Sequence, residues 1–362
     1  MIALAQIISR FAPDYRARHG HTLSPERAQA LLAMQHCRSR MAPQLIAACP
    51  DCAEQRLIPH SCGHRLCPHC QHHESERWLE RQRRLQVPAE YFLLTFTLPG
   101  ELRPLAFRHA RRVYAALFSA AWATVQTFCR NDRQLKGDAG AVAVLHTHSR
   151  RLDLHPHVHL IMPGASLEAR SRRWRTKTGY LFSHQALAKV FRGKLLAALK
   201  QEGLALPTGL PGKWVVDCKS VGNGEKALVY LGRYLYRGVI READILACDN
   251  GQVSFRYRDS QSGQTKIRTL PGADFLHLLL QHVLPKGFRR ARNYGFLHPN
   301  RKGLIALLHL VLRIAPRPPL PDQPRPAFLC PCCGRPMRVI RRRIAPTAVR
   351  QRDSAQAAET AV

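Results

Sequence analysis

The sequence lacks a hydrophobic run long enough to cross a membrane. Its longest apolar stretches, such as residues 304–311, fall well short of the roughly 20 residues that a membrane-spanning helix needs. The amino-terminal segment MIALAQIISR carries its first positive charge after the apolar positions and offers no small-residue cleavage site, unlike a secretory signal peptide. These absences argue against a membrane partner and predict a soluble, cytoplasmic protein.

Acidic side chains are also scarce. The 362 residues include 24 Asp and Glu against 56 Lys and Arg, which gives a formal net charge of +32. A compact chain with this charge repels itself, so a polyanionic partner is the simplest explanation, and nucleic acid is the first candidate. Hydrophobic residues make up 45% of the chain. This content excludes a wholly disordered basic tail and allows two or three domains at roughly 100–200 residues each.

The order of apolar and polar segments predicts an α+β fold with a largely antiparallel central sheet and flanking helices. Strands are expected at residues 91–98, 141–148, 154–162, 213–219, 253–257 and 265–270, the last two forming a hairpin. Helices are expected at residues 73–86, 102–129, 184–201, 225–237, 271–283 and 300–314. Several neighbouring strands are joined by connections too short for a parallel crossover.

Cysteine and proline divide the chain into three predicted regions. Residues 1–88 form a Cys/His-rich zinc-binding module, and residues 89–315 form the main α+β domain. Residues 316–362 form a Pro-rich linker and a basic, partly disordered tail. The tail contains a small CxxC motif, Cys330 to Cys333, which has no second pair downstream and is only a weak sign of a metal site.

The strongest chemical signal is a pair of CxxC motifs, Cys49–Cys52 and Cys67–Cys70, separated by 14 residues. In an intracellular protein such cysteines are more often metal ligands than disulfides. Each motif presents two thiolates, so the two together predict one tetrahedral structural Zn²⁺ site. Cys37, Cys62, His60 and His64 lie close by in the sequence and could form a second site. A closed zinc site is a folding element, which favours a DNA-recognition role for this module.

Three histidines alternate along one predicted strand: His155, His157 and His159. In an extended strand their side chains project from the same face, where three imidazoles make poor core material. Neutral imidazoles that converge on a divalent ion resolve this problem and leave positions open for a substrate phosphate. A solvated surface strand is the alternative, but the apolar residues 160–162 favour a buried strand. His146 and His148 lie on the preceding strand and could reach the same site if the strands pair.

Tyr230 and Tyr234 stand four residues apart on a predicted helix and so share a face, while Tyr236 turns away. A phenol is a weak nucleophile at neutral pH. Beside a metal-polarised phosphodiester, however, it can attack phosphorus and form a covalent phosphotyrosine. Such a pair alone is more often core packing. Beside a histidine strand in a strongly basic chain, we favour the catalytic interpretation.

Basic residues flank this tyrosine pair and recur near the end of the main domain. Six of them are candidates for contacting DNA: Lys226, Arg233, Arg237, Arg289, Arg290 and Arg292. On the predicted helix they give a cationic side that suits phosphates, and in the Arg-rich stretch 289–292 they would hold and guide a strand.

In these motifs the chain resembles the insertion-sequence-91-type transposases, two-tyrosine HUH enzymes that move DNA by a rolling-circle-like route. The matching segments run from about Cys37 to Tyr294 in the family's order: CPDC with HSCGHRLCPHCQ, VLHTHSRRLDLHPHVHLIMPG, ALAKVFRGKLL, YLGRYLYR and LPKGFRRARNYGFL. The family's HUH motif, two histidines around a bulky apolar residue, corresponds to residues 157–159. Its tyrosine pair corresponds to Tyr230 and Tyr234.

The resemblance implies an endonuclease and strand transferase for single-stranded DNA, built on a five-stranded antiparallel HUH domain of ferredoxin-like type. His157 and His159 would hold Mg²⁺ or Mn²⁺, with a third ligand among His155, His146 and His148. One tyrosine would attack the scissile phosphate, leaving a 3′-OH and a 5′-phosphotyrosine, and the second would allow a further cleavage and strand exchange. The DNA partners would be the ends of a mobile element and its target, on the nucleoid of a bacterial cytoplasm.

Two other interpretations are open at this point. A replication initiator or relaxase would share the HUH motif and the tyrosines. A zinc-dependent DNA-binding regulator without catalysis would account for the charge and the cysteines, but not for the histidine strand or the tyrosine helix. The order in which the tyrosines act and the oligomeric state are also open.

Overall fold

A computed structural model describes residues 2–70, 72–168, 173–236, 238–260, 262–315 and 327–344 of the chain. The helices are α1 Leu4–His19, α2 Pro25–Gln35, α3 His72–Arg83, α4 Arg103–Arg108, α5 Ala110–Asn131, α6 His184–Gln201, α7 Glu225–Tyr236, α8 Gly272–Leu280 and α9 Lys302–Val311. The strands are β1 Gln44–Ala48, β2 Gln55–Pro59, β3 Tyr91–Thr97, β4 Asp138–His148, β5 Leu154–Pro163, β6 Ala165–Glu168, β7 Arg173–Thr176, β8 Val216–Ser220, β9 Ile245–Asp249, β10 Gln252–Arg258, β11 Thr265–Pro271, β12 Ala291–Gly295 and β13 Arg338–Ile344. The predicted linker at 316–326, the tail from residue 345 and Arg237 lie outside the described residues.

The central sheet contains seven strands, and every pairing in it is antiparallel. Its order is β7-β6-β4-β5-β3-β8, and β12 also pairs with β4. The predicted antiparallel α+β fold is therefore confirmed. The sheet is larger than the five strands that the resemblance implies, partly because the short strands β6 and β7 extend one edge.

Alternation along the central strands gives this sheet two different faces. Leu94 of β3 and Leu160 of β5 point into a core that α5 and α6 cover. The residues of opposite parity, including Leu93, Val144 and Ile161, form a second core with α3, α7 and α9. Burial of each such side chain contributes about 1.5–3 kcal/mol. The second face continues along β4 and β5 into the histidines, so the face that α7 covers is also the face that carries the candidate site.

The helix predicted at residues 102–129 is interrupted, and that prediction is wrong in this respect. His109 leaves helical geometry, with φ −122° and ψ 42°, so α4 and α5 are separate helices. α4 has Pro104 in its first turn, a position that suits a helix start, and it packs against β5. Arg103, at the start of α4, donates to Nδ1 of His155 over 3.1 Å.

The other predicted elements of the main domain are present, with bounds that shift by a few residues. β10 and β11 form the predicted hairpin, and β9 joins it to make a three-stranded sheet. The sequence pattern does not indicate α1 and α2 or the short strands β1, β2, β6, β7, β9, β12 and β13. None of the helices among the described residues is long and apolar enough to cross a membrane.

The amino-terminal helices share a core with residues far along the chain. Ile8 and Phe11 of α1 belong to one buried cluster with Phe255 of β10 and Phe275 of α8. Gly272 lies so close to Phe11 that a Cβ there would come within 2.2 Å of the phenyl ring. α1, α2 and the segment 66–70 therefore pack on the β9–β11 sheet and α8.

Candidate active site and metal centres

Three histidines meet at one end of the central sheet. β4 and β5 pair with His146 opposite His157, and His159 follows two residues later on the same face. One ring nitrogen of each histidine lies within 4.8 Å of the other two. The two histidine-bearing strands pair with each other, and this pairing brings His146, His157 and His159 together.

Hydrogen bonds and burial prepare these imidazoles to act as ligands. His157 Nδ1 lies 2.8 Å from the carbonyl oxygen of His155, and His159 Nδ1 lies 2.9 Å from Thr95 Oγ1. A donated Nδ1–H leaves the Nε2 lone pair of His157 free for a metal ion. Burial lowers the pKa of His157 to about 4 and the pKa of His159 to about 3, and it also lowers the pKa of His146. The neutral imidazole is the form that binds metal.

The donor set fits a divalent ion. His146 Nε2 is buried and has no hydrogen-bond partner among the described residues. A buried polar atom without a partner costs about 1–3 kcal/mol, which coordination would offset. Imidazole nitrogens are softer ligands than the oxygens that Mg²⁺ prefers, so Mn²⁺ is the better match of the two predicted ions.

The other two candidates for the third ligand, His155 and His148, do not belong to the group of histidines whose ring nitrogens lie within 4.8 Å of one another. His155 Nδ1 accepts a hydrogen bond from Arg103, and His148 Nδ1 lies 2.8 Å from the Tyr234 hydroxyl. His146 therefore completes the group, and His155, which the sequence offered as a ligand, does not belong to it.

Tyr230 and Tyr234 both lie over the histidines, but their surroundings differ. The Tyr230 ring centroid is 5.9 Å from that of His146 and 6.1 Å from that of His159. Tyr230 is 49% exposed, and its hydroxyl makes no hydrogen bond with the described residues. Tyr234 is half-buried and stacks on His146 at 3.3 Å between centroids, and its hydroxyl oxygen lies 2.8 Å from His148 Nδ1. Burial raises the pKa of Tyr234. Tyr230 is open to a substrate, whereas Tyr234 is held in place.

Thr95 is a site residue that the sequence analysis did not single out. It lies on β3 directly opposite His159, and its hydroxyl fixes the orientation of that ring. The signal in the sequence is a polar residue in the largely apolar strand YFLLTFTL, at a position of the same parity as the buried Leu93. Only the strand pairing shows which histidine it meets.

A cleft of about 810 Å³ opens beside the histidines and tyrosines. One side is the histidine face with α7, and the other is formed by β10 and the loop that joins β4 to β5. Six arginines line it: Arg150, Arg151, Arg233, Arg241, Arg256 and Arg258. Most of them come from the loop SRRLD and the strand segment RYR, which the sequence analysis did not assign to the site.

Few carboxylates neutralise these arginines. Asp244 pairs with two of them, Arg241 at 2.6 Å and Arg256 at 3.0 Å. Three make no ion pair with any described residue: Arg150, Arg233 and Arg258. Guanidinium groups without carboxylate partners suit a polyanionic ligand such as a phosphate backbone.

The residues predicted to contact DNA on α7 lie on or near this cleft. Arg233 lines it, and Lys226 is exposed one turn before Tyr230 on the same helix. Arg237 lies outside the described residues.

The predicted arginines of the 289–292 stretch lie away from the cleft. Arg290 is half-buried and donates to the carbonyl oxygen of Tyr234 over 3.1 Å, so it caps the end of α7. Burial lowers its pKa to about 10. Arg292 lies over the Phe118 ring at 4.2 Å, and Arg289 is exposed in a separate pocket. None of these three lines the cleft.

Eight of the cysteines form two groups of four. The first group is Cys37, Cys62, Cys67 and Cys70, and the second is Cys49, Cys52, Cys330 and Cys333. The predicted single site made of the two amino-terminal CxxC motifs is therefore wrong. Cys49 and Cys52 lie in the turn of the β1–β2 hairpin, whereas Cys37 and Cys62 flank its open end. Strands of this length hold the two ends about 17 Å apart.

The first cysteine group supports the cleft. The neighbouring Leu66 shares a buried cluster with Ile240, and a Cβ on Gly238 would lie 2.6 Å from the Leu66 carbonyl oxygen. His69 Nε2 lies 2.8 Å from a carboxylate oxygen of Glu242. Because Gly238 and Ile240 line the cleft, this group holds one of its walls.

α3 connects the same module to the tyrosine helix. Gly232 of α7 lies against the Trp78 ring, which would be 3.2 Å from a Cβ at that position. Arg83 of α3 also forms an ion pair with Glu225 at the start of α7. The orientation of α7 over the histidines therefore depends on contacts with α3.

Comparison with known proteins identifies the family. The family model "Transposase zinc-binding domain" matches residues 7–98, and the family model "Putative transposase" matches residues 140–303. The protein named "Putative transposase y4qJ" of Sinorhizobium fredii (strain NBRC 101917 / NGR234) is 33% identical over 318 residues, which cover 81% of this chain and 80% of that protein. The chain belongs to the insertion-sequence-91-type transposases.

A second relative agrees with this assignment. The transposase is 31% identical over 265 residues to the "Transposase for insertion sequence element IS801" of Pseudomonas savastanoi pv. phaseolicola, covering 68% of this chain and 64% of that protein. The solved structure of the conjugative relaxase TrwC in complex with mutant OriT DNA is 20% identical with a TM-score of 0.28, covering 34% of this chain and 48% of that chain.

The family confirms the main functional prediction. The relatives and family models support a transposase of the rolling-circle type, with DNA as its partner and a zinc-binding domain at its amino-terminal side. Neither the replication initiator or relaxase nor the non-catalytic regulator is favoured.

Proposed function

We propose that the transposase cleaves and rejoins single-stranded DNA through a tyrosine nucleophile, with a divalent ion held by His146, His157 and His159. One observation carries this proposal. Tyr230 is exposed in a cleft lined by arginines, and its ring centroid lies 5.9 Å from that of a buried histidine whose Nε2 has no partner among the described residues.

In the proposed reaction the cleft arginines hold the strand so that the scissile phosphate lies against Tyr230. A divalent ion, when bound by the three imidazoles, supplies positive charge that polarises this phosphate. The Tyr230 oxygen forms a bond to phosphorus and its proton passes to water in the open cleft, while the bond from phosphorus to the 3′ oxygen breaks and that oxygen takes a proton from water. The products are a strand with a 3′-OH and a 5′-phosphotyrosine, which keeps the energy of the phosphodiester for rejoining.

Tyr234 is suited to a later cleavage. Its hydroxyl oxygen lies 2.8 Å from His148 Nδ1, which can take the phenolic proton when Tyr234 attacks a second phosphate. Two covalent links one helical turn apart would allow two strands to exchange 3′-OH partners without an external energy source.

A covalent adduct tests the proposal. Purified transposase incubated with labelled single-stranded oligonucleotides from the ends of its element and Mn²⁺ is expected to form a protein–DNA adduct that survives denaturing electrophoresis. EDTA should prevent its formation, and the Tyr230→Phe/Tyr234→Phe double variant should form none, because neither remaining ring carries an oxygen nucleophile.

The same experiment can overturn the proposal. An adduct that persists in the double variant would place the nucleophile elsewhere, and equal adduct yield with EDTA would remove the divalent ion from the reaction. Duplex oligonucleotides of the same sequence, run in parallel, separate a single-strand requirement from general DNA cleavage.

Binding of DNA in the cleft is expected to depend on Arg150 and Arg258. Each phosphate contact on a single strand contributes about 0.7 to the slope of log affinity against log salt, so the Arg150→Ala/Arg258→Ala variant should lower that slope by about 1.4. Fluorescence anisotropy of a labelled single strand, measured over a series of salt concentrations, gives the slope. The same electrostatic attraction is expected to keep the transposase on nucleoid DNA.

Arg18→Ala provides the matched control. Arg18 is exposed on α1 and lies outside the cleft. Its substitution removes one positive charge and should leave the slope unchanged. A slope lowered by about 0.7 in the control, half the change expected for the double variant, would mean that overall charge, rather than the cleft, binds the strand.

We also assign a structural Zn²⁺ to the first cysteine group. Its sulfur atoms lie 3.7 Å apart for Cys37 and Cys70, and 3.6 Å apart both for Cys62 and Cys70 and for Cys67 and Cys37. These distances match the edge of about 3.8 Å that four sulfurs at about 2.3 Å from zinc would have. Zinc at this position would stabilise the cleft wall described above.

A further inference from the structure

The second cysteine group joins parts of the chain that are far apart in sequence. Cys52 and Cys330 are separated by 278 residues, yet their sulfur atoms lie 3.5 Å apart. Cys49 and Cys333 lie 3.4 Å apart, and Cys333 and Cys52 lie 3.7 Å apart. A disulfide would need about 2.05 Å, whereas a tetrahedral zinc site needs sulfur atoms about 3.8 Å apart. The spacing therefore fits a metal site and not a disulfide.

The two halves of this group have the same backbone geometry. The amide of Cys49 donates to the carbonyl oxygen of Glu54, five residues later, and the amide of Cys330 donates to that of Arg335, also five residues later. The residue after each second cysteine is left-handed, with φ 59° at Ala53 and φ 71° at Gly334. Each half is a tight turn that presents two thiolates to a common point. Two such turns facing each other complete one tetrahedron.

The segment that carries Cys330 and Cys333 has little else to hold it. Residues 327–344, here called the carboxyl-terminal segment, end in β13, which pairs with β1 in an irregular register. The buried cluster around the cysteines contains otherwise only Leu45, Ala47 and Met337 among the described residues, with Ile58 packed against it. A core of this size cannot offset the cost of ordering the segment, so small modules of this kind depend on a metal ion.

We propose that Cys49, Cys52, Cys330 and Cys333 bind a second structural Zn²⁺, which fastens the carboxyl-terminal segment to β1. The family model for the zinc-binding domain ends at residue 98, so half of this site lies outside it. Without the ion, β13 would leave β1, and the amino-terminal module would lose the third strand of its small sheet. This site is independent of the strand-cleavage chemistry proposed above.

Zinc content and hydrogen exchange test this proposal on the full-length transposase. Elemental analysis of the purified His146→Ala protein, in which the histidine site is disabled, is expected to give two zinc ions per chain, and the Cys330→Ser/Cys333→Ser variant in the same background is expected to give one. In the variant, the backbone amides of residues 338–344 and those of β1 that pair with them should lose protection from exchange. The amides of α7 should keep it, because the first cysteine group is intact.

Cys332→Ser is the matched control. Cys332 lies between the two proposed ligands and is exposed, but it does not belong to the group of four. Its substitution in the His146→Ala background should leave two zinc ions and full protection of β13. One zinc ion in the His146→Ala protein, or two in that protein with Cys330→Ser/Cys333→Ser, would overturn the proposal. So would an equal loss of zinc in the control.

Cobalt substitution tests the second site in the wild-type protein, and so does not depend on whether the double variant folds. Wild-type transposase reconstituted with Co²⁺ should bind two ions per chain with the intense thiolate-to-cobalt absorption of a four-cysteine site. Saturation of that absorption at one ion per chain would contradict a second site.

Discussion

Tyr230→Phe is expected to abolish the first strand cleavage, by on the order of 1,000-fold or more, whereas Tyr234→Phe should leave it intact. The reason is the difference between their surroundings. Tyr230 is 49% exposed in the cleft, so a phosphate can approach its oxygen. Tyr234 is stacked on His146 and bonded to His148, so its oxygen is already engaged. Adduct yield with a single end oligonucleotide measures this first step.

Strand transfer separates the roles of the two tyrosines further. Tyr234→Phe should form the first adduct and then fail to join the bound strand to a second cleaved end. Tyr236→Phe is the control, because Tyr236 lies on the same helix but faces a different pocket, and both steps should be unchanged. If Tyr234→Phe lost the first adduct while Tyr230→Phe kept it, the order proposed for the two tyrosines would be reversed.

His146→Ala is expected to remove divalent-ion binding at the active site and to lower cleavage by at least about 100-fold. A metal ion would contribute several kcal/mol to stabilising charge at a reacting phosphate, and His146 is one of the three candidate ligands that meet there among the described residues. Calorimetric titration with Mn²⁺ gives the binding, and adduct yield gives the cleavage. Thermal unfolding of the variant checks that the sheet is retained.

His155→Ala is the matched substitution for this experiment. His155 lies on the same face of β5 but bonds to Arg103, outside the group of three. Its variant should still bind Mn²⁺. Mn²⁺ binding that survives in His146→Ala but disappears in His155→Ala would show that His155 is the third ligand.

The central strands and most of the catalytic candidates could be predicted from the sequence because they depend on local periodicity. Alternation by two places His157 and His159 on one face of β5. Spacing by four places Tyr230 and Tyr234 on one face of α7. In both cases the geometry of one element fixes which side chains lie together.

The remaining features depend on contacts between distant segments, which local patterns do not encode. Nothing in the neighbourhood of Cys49 shows that its partners lie at Cys330 and Cys333 rather than at the nearer CxxC motif. Arg258 becomes part of the cleft only because the β9–β11 sheet packs beside the histidine face. Thr95 likewise acquires its role from the pairing of β3 with β5.

Because two of its cysteines lie near the end of the chain, the second cysteine group can form only after most of the chain has been translated. The amino-terminal module is therefore completed late in synthesis. A ribosome needs about 14 to 56 s to make the 278 residues between Cys52 and Cys330 at about 5–20 residues per second. All the catalytic residues proposed above lie within that interval. A product that stops before Cys330 would carry every group needed to cut DNA. Its amino-terminal module, however, would lack two of the four ligands of the second cysteine group. Interrupted synthesis therefore yields a chain that differs from the finished one in its zinc module and not in its nuclease.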